Sequence, residues 1–275
     1  MAKGREILVL GSTGQTGRIV ADSLESEGYA VRRASRSSVS TPFDWFTQGT
    51  WRQAVEGVSR AYVVLPERLV EFVAFVNLLE NCGVEHAVVL TARNPSVSGD
   101  GIAVGAEFAF AQSAVKSTFL QPSWFAQNFT TGMFAGQLQA TGALRLPAGA
   151  GSEPFIDYRD IAEVASAILS MDDPSPSGPV PLTGPKSYSF EEALRVLADV
   201  TGTDAGRFES ISVLEWKSDA ARMGIPESFV QSLTNLFVAI SKGRDDYISS
   251  GVYEVLGREP RTLSDTFSDH SNVTS

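Results

Sequence analysis

The stretch Glu6-Ile-Leu-Val-Leu10-Gly11-Ser-Thr-Gly14-Gln-Thr-Gly17 constrains the fold more than any other part of the chain. Four apolar residues in a row before a glycine read as a short buried strand. Ile19, Val20 and Leu24 then fall on one helical face. Strand, glycine turn and helix in direct succession make the opening of a nucleotide-binding α/β unit. Gly11 permits the tight turn, Gly14 lets the backbone approach a pyrophosphate, and Gly17 permits close packing of helix on strand. The free N–H groups and the positive helix end face the phosphates. Ser12, Thr13, Gln15 and Thr16 fill the loop and join the three glycines as candidate cofactor contacts.

Further apolar runs at 29–34, 61–65, 86–90 and 118–120 read as strands, and Leu69, Phe72, Val73, Val76 and Leu79 follow the helical period. Apolar strands alternating with helices predict an α/β fold, a Rossmann-type doubly wound parallel sheet. The alternation loosens after residue 123. A loop at 147–152 precedes a helix at 160–171, for which Asp160 is the expected N-cap. A turn at 172–179 follows, then Ser189 and Glu192 as a capping box. Helices at 213–223 and 226–242 lead into a polar, frayed final dozen residues. This divides the chain into a cofactor-binding core, residues 1–123, and a smaller, mostly helical substrate-binding part, residues 124–275. Residues 153–185 are expected to return strand and helix to the core. The cleft between the two parts is the default ligand site.

Net charge is −10, from 32 acidic and 22 basic residues, which argues against a nucleic-acid partner. Residues 1–40 carry +2, with Lys3, Arg5, Arg18, Arg32, Arg33 and Arg36 among them, which suggests a local anion site. One cysteine and two histidines exclude a disulfide framework and argue against a zinc site. No apolar stretch approaches the ~20 residues of a membrane span, and the first residues hold no secretory signal. A cytoplasmic protein is expected.

The end of the second strand separates NAD from NADP. An NAD site places a carboxylate there. Here the run is Val31-Arg-Arg-Ala-Ser35-Arg36-Ser37-Ser38, without an acid. Arg36, with Ser35 and Ser37, suits a ribose 2′-phosphate, so NADPH/NADP is the expected cofactor.

The G-x-x-G-x-x-G spacing is typical of the short-chain dehydrogenase superfamily. Further landmarks are Phe43-Asp44-Trp45, Gln121-Pro122-Ser-Trp-Phe125 with Asn128-Phe129, and Phe155-Ile-Asp157-Tyr-Arg-Asp160. Leu182-Thr-Gly-Pro185 and Val255-Leu-Gly257-Arg-Glu-Pro260-Arg complete the set. Together they resemble the NmrA-like family of atypical short-chain dehydrogenases, over roughly residues 5 to 270. That family includes NADPH-dependent quinone reductases, iminium reductases of ergot-alkaloid pathways, and cofactor-binding regulators. The resemblance implies that Asp44 and Trp45 lie near the adenine. It also implies that Thr91 and Pro122 flank the nicotinamide. Gln121 stands where relatives usually have arginine.

Most reductases of the superfamily protonate their product with a Tyr-x-x-x-Lys pair. No tyrosine occupies the helix expected before residue 116; Gln112 and Lys116 copy only the spacing. The sequence therefore nominates no catalytic acid, and the acceptor must be electrophilic: a quinone, an iminium ion or an enone. Trp124, Phe125, Phe129 and Met133 suit a flat aromatic or conjugated substrate, with Asn128 as a polar anchor. The four-residue spacing of Phe125, Phe129 and Met133 predicts a shared helix face. The same residues also admit a redox-sensing NADP(H) binder without turnover, or a tailoring enzyme for a non-redox cyclisation or coupling.

Overall fold

In the computed structural model, which describes residues 6–173 and 175–274, the apolar runs assemble into one parallel sheet. Lys3 and Arg5 lie outside the described residues. The strands are β1 (Glu6–Leu10), β2 (Val31–Ala34), β3 (Val58–Val64), β4 (His86–Leu90), β5 (Lys116–Pro122) and β6 (Gly178–Leu182). Their order is β2-β1-β3-β4-β5-β6. Val9 pairs with Arg33 on one side and Tyr62 on the other; Leu90 lies between Val64 and Leu120. The order reverses at β1, and ligands of such sheets bind beyond the carboxyl ends of the strands at that switch point.

Helix α1 (Gln15–Ser26) follows β1, α2 (Phe72–Asn81) follows β3, α3 (Gly101–Ala111) precedes β5, and α4 (Tyr158–Ser170) precedes β6. Successive strand residues point to opposite faces. Ile7, Val9, Tyr62, Val88 and Leu120 pack against α1 and α4. Leu8, Leu10, Val63, Ala87 and Val89 pack against α2 and α3. The sheet is thus doubly wound. Two expected details differ. α2 begins at Phe72, and its buried stripe is Phe72, Phe75, Val76 and Leu79, while Leu69 and Val73 face out. α4 begins earlier than expected, because its N-cap is Asp157, whose carboxylate accepts from the Arg159 N–H at 2.7 Å. Asp160 sits inside the first turn, fully buried. There it is charge-paired with Arg258 and Arg261 and accepts from the Arg261 N–H at 2.7 Å.

Beyond β5 the chain builds a second core, made largely of rings. Phe129, Phe134, Phe155, Phe190, Phe237 and Phe267 close on one another with Trp216 and Leu263. The helices around it are α5 (Phe190–Thr201), α6 (Val213–Arg222), α7 (Glu227–Ser241) and α9 (Leu263–Thr274), while α8 (Gly251–Leu256) packs Val252 into the sheet core. Ser189 and Glu192 form the expected capping box of α5. The frayed end expected from the sequence is instead helical through Thr274, and α9 seats Leu263 and Phe267 in the ring core; Ser275 lies outside the described residues. The helix forms because those two residues supply one apolar turn, and tertiary packing outweighs the poor helix propensity of its many polar residues.

Candidate functional site

At the carboxyl end of β1 the backbone turns at Gly11, with φ at +69°, where a Cβ would meet Val64 at 3.3 Å. A Cβ on Gly17 would lie 2.3 Å from the Gly11 carbonyl oxygen, so that glycine lets α1 sit on β1. Gly14 differs. It is exposed, and a Cβ there would touch only the Gly11 oxygen, at 3.2 Å. Its side-chain space opens outward, where a phosphate would lie. Gly14 is the N-cap of α1 and offers no side-chain acceptor, and the first turn holds no acid. The helix-end N–H groups are left for an anion. Ser12 is buried and its N–H bonds the Ala34 oxygen at 3.2 Å, which ties the turn to β2. Thr16 is buried under the Tyr62 phenol, which donates to its Oγ1 at 3.0 Å; burial pushes that phenol up. Thr13 and Gln15 are exposed on the turn.

Three arginines gather beyond and along β2, and they are in different states. Arg32 pairs with Glu6 and donates to the Glu56 oxygen at 2.6 Å. Arg33 is held by Asp22 and by Glu25, at 2.9 Å from its Nε, and this contact lowers the Glu25 carboxyl. Arg36 is exposed and has no hydrogen-bond or ion-pair partner among the described residues. Ser35 is buried with its Oγ 3.3 Å from that of Ser37, the two serines flanking Arg36 in the chain. These residues fit a phosphorylated ribose and a pyrophosphate: an open cradle, an unsealed helix end and an unpaired cation.

Trp45 donates from Nε1 to the Val64 oxygen at 3.1 Å, and Val64 is the residue that crowds Gly11. The indole therefore stands beside the glycine turn. A groove of about 320 Å³ opens there, lined by Trp45, Phe46, Trp51, Leu69 and Val70. The Asp44 carboxylate is occupied locally, accepting from the Phe46 N–H at 3.0 Å.

At the ends of β4 and β5, Thr91 donates to Glu107 Oε1 at 3.0 Å and Gln121 donates to the same oxygen at 2.8 Å. Glu107 is the only ionisable residue of α3, and it reaches the place that Thr91 was expected to mark. Pro122 is buried opposite Leu182. Lys116 is at the far end of β5, exposed and paired with Asp173 at 3.4 Å, so it plays no part here.

The expected aromatic wall is not one surface. Ala126–Phe129 is a single 3₁₀ turn rather than a helix, so four-residue spacing does not align the side chains. Phe125 packs into the sheet core, Phe129 is enclosed in the ring core, and Met133 is exposed. Asn128 accepts from the Phe134 N–H through its backbone oxygen at 2.9 Å, closing the turn. Trp124 keeps a partly open ring, stacked on Phe134 and Phe237 at 5.4 and 5.1 Å.

Sequence reading passed over a buried charge cluster beside Trp124. Arg93, three residues past β4, donates to Glu153 Oε1 and to the Asp245 oxygen, both at 2.7 Å. Asn94 holds the Asp245 carboxylate at 3.0 Å, and the Tyr247 ring lies 4.8 Å from the guanidinium. Glu153 is fully buried, and burial pushes its carboxyl up to about 8 against the pull of Arg93. No spacing pattern links residues so far apart in the chain.

No protein-family model matches the sequence. Among known proteins, the chain is 32% identical to an uncharacterized oxidoreductase, YesF, of Bacillus subtilis (strain 168), covering 98% of this chain and 97% of that one. It is 30% identical to prestalk A differentiation protein A of Dictyostelium discoideum, over 96% and 93% of the two. It is 27% identical to agroclavine dehydrogenase of Claviceps fusiformis, over 97% and 98%. Two solved structures share the fold. One is an NADPH-dependent quinone oxidoreductase of Escherichia coli complexed with NADPH, with TM-score 0.77 and 18% identity over 98% and 100% of the chains. The other is Nmra, a negative transcriptional regulator in complex with NAD, with TM-score 0.75 and 12% identity over 99% and 97%. Full-length likeness, the glycine turn and the landmark segments agree: the chain belongs to the NmrA-like family of atypical short-chain dehydrogenases/reductases.

Proposed function

We propose that the protein is an NADPH-dependent reductase of electrophilic, conjugated or aromatic small molecules such as quinones, iminium ions and enones. It is an oxidoreductase of the atypical kind, without the Tyr-x-x-x-Lys pair. The observation that carries this reading is the state of Arg36. Its neighbours Arg32 and Arg33 are consumed by ion pairs, and Arg36 has no such partner among the described residues and follows the strand beside an uncapped glycine turn. The backbone from Gly11 to Gly17 would hold the pyrophosphate, Arg36 with Ser35 and Ser37 the 2′-phosphate, and Trp45 the adenine side. NADPH supplies a hydride when bound; the chain's own residues orient the acceptor and exclude water. Trp124, with its half-open ring past the end of β5, supports a flat acceptor. Relatives named as oxidoreductase and agroclavine dehydrogenase support redox chemistry; its proposed place is specialised biosynthesis, in the cytoplasm.

The test is loss of NADPH absorbance against a panel of quinones, iminium salts and enones. Turnover of at least one, faster with NADPH than with NADH, is the expected result. Tight cofactor binding with no turnover on any member would favour a second reading, an NADP(H)-sensing regulator. The similarity to a protein named for differentiation is the observation behind that alternative.

A further inference from the structure

Two buried polar atoms stand without partners at the carboxyl edge of the sheet. Glu153 comes from a short antiparallel pairing of Ser152–Glu153 with Tyr188–Ser189. Its Oε1 accepts from Arg93 Nη2 at 2.7 Å and from the Trp124 N–H at 3.2 Å. Its Oε2 has no partner, and neither has Arg93 Nη1, among the described residues. Arg93 and Glu153 are 6% and 0% exposed, so bulk solvent does not reach these atoms. An orphaned buried group costs about 1–3 kcal/mol, and a ligand that bonds it removes the cost.

The arrangement also fixes where a proton would be. Two donors already occupy Oε1, so a neutral carboxyl carries its hydrogen on Oε2. The pair then offers two unused donors, Arg93 Nη1–H and Glu153 Oε2–H. Arg93 follows β4, and Glu153 is drawn to the same place by the N–H of Trp124, two residues past β5. The charged groups that face Glu153 are Arg93, Asp245 and Asp246; the two aspartates and burial favour the neutral form, and Arg93 opposes it.

We propose that Arg93 and Glu153 bind the reducible heteroatom of the acceptor and that Glu153 is the proton donor of the reaction. This rests on the reductase reading above. As the acceptor carbon gains hydride from NADPH, the π electron pair of its C=O or conjugated C=C–C=O system moves to the oxygen. The O–H bond forms as the Oε2–H bond breaks. The carboxylate left behind pairs with Arg93 and regains its proton from water, and the other products are the reduced acceptor and NADP⁺. The exposed ring of Tyr247 lies over the Arg93 guanidinium. When Tyr247 swings aside, an aromatic acceptor restores the cation–π contact it gives up.

The test compares Glu153→Gln, which keeps the shape and the Oε1 acceptor, with the wild type on a quinone or enone from the panel. Turnover is expected to fall about 10²–10³-fold, the range of a general acid, with NADPH affinity unchanged. Wild-type turnover should also fall above about pH 8, a limb the variant lacks. Infrared difference spectra of the cofactor-free wild type should show one carboxyl still protonated at neutral pH, and that band should be missing in Glu153→Gln. Should the variant fail to fold, the wild-type pH limb and carboxyl band decide alone. Turnover within about threefold of wild type, or no protonated carboxyl at neutral pH, overturns the donor role. A wild type that reduces no acceptor overturns the reductase reading and the donor role with it. Comparable turnover in both proteins overturns the donor role alone.

Discussion

Arg36 and Gly14 make different demands on the same ligand. Arg36→Ala removes a charge-assisted contact worth about 1.5–3 kcal/mol, so the NADPH dissociation constant should rise roughly 10- to 100-fold. Binding of NADH, measured by the same fluorescence titration, should hardly change. Arg33→Ala removes only exposed pairs with Asp22 and Glu25, and should move either constant little. Gly14→Val places its side chain in the open cradle, so cofactor affinity should collapse while the melting temperature holds. Gly17→Ala should do the reverse of a clean binding defect: its methyl meets backbone at 2.3 Å, so the fold itself should weaken. These sites were readable in the sequence because turn, helix start and strand end are adjacent in the chain. The Arg93–Glu153 pair was not, because its members are 60 residues apart and each alone looks like a surface charge. Glu107 was missed differently: a lone acid in an apolar helix carries no motif.

Elements explain why the aromatic segment was misread. Four-residue spacing aligns side chains only in a continuous α-helix, and 126–129 makes a single tight turn before the backbone departs at Gly132. Phe129 contacts the rings of Phe134, Phe155 and Phe267 within 6.0 Å. Phe129→Ala should therefore cost about 3–5 kcal/mol of stability, read by denaturant unfolding. Met133→Ala, at an exposed position, should stay within about 0.5 kcal/mol. The first residue of β4 sets a pH dependence. Burial, with Arg60 and Lys116 nearby, lowers the His86 imidazole to about 4 from 6.5, and its Nε2 meets Thr118 Oγ1 at 2.9 Å. A depressed folded-state value means stability is present above 6.5 and is lost as pH falls toward 4. Wild type should lose about 2 kcal/mol from this group between pH 7.5 and 5. In His86→Gln, urea unfolding across that range should show this loss removed.

On the scale of the whole molecule, local reading gave the alternation of strands and helices along the chain but not the role of the end of the chain. Long-range packing decides that role, and it leaves only single residues as signs: Leu263 and Phe267 in a polar run, and Arg258 and Arg261 facing Asp160 and Glu163. A chain stopped after Gly257 should lose both the ring-core wall and the partners of a buried carboxylate. Its thermal melt should broaden or vanish, and cofactor affinity should go with it. The crossing of the chain has a further outcome. Between β5 and β6 it leaves the sheet, builds much of the second core and returns with α4 over Ile7, Val9 and Tyr62. During synthesis, then, the apolar underside of β1 and β3 waits for α4, and the outer edge of β5 stays open until residues 178–182 emerge from the ribosome. A nascent chain paused near residue 123 presents a bare strand edge and a half-covered sheet, a substrate for chaperones and a hazard for aggregation. Split at that point, the two pieces should be insoluble apart and recover only when produced together.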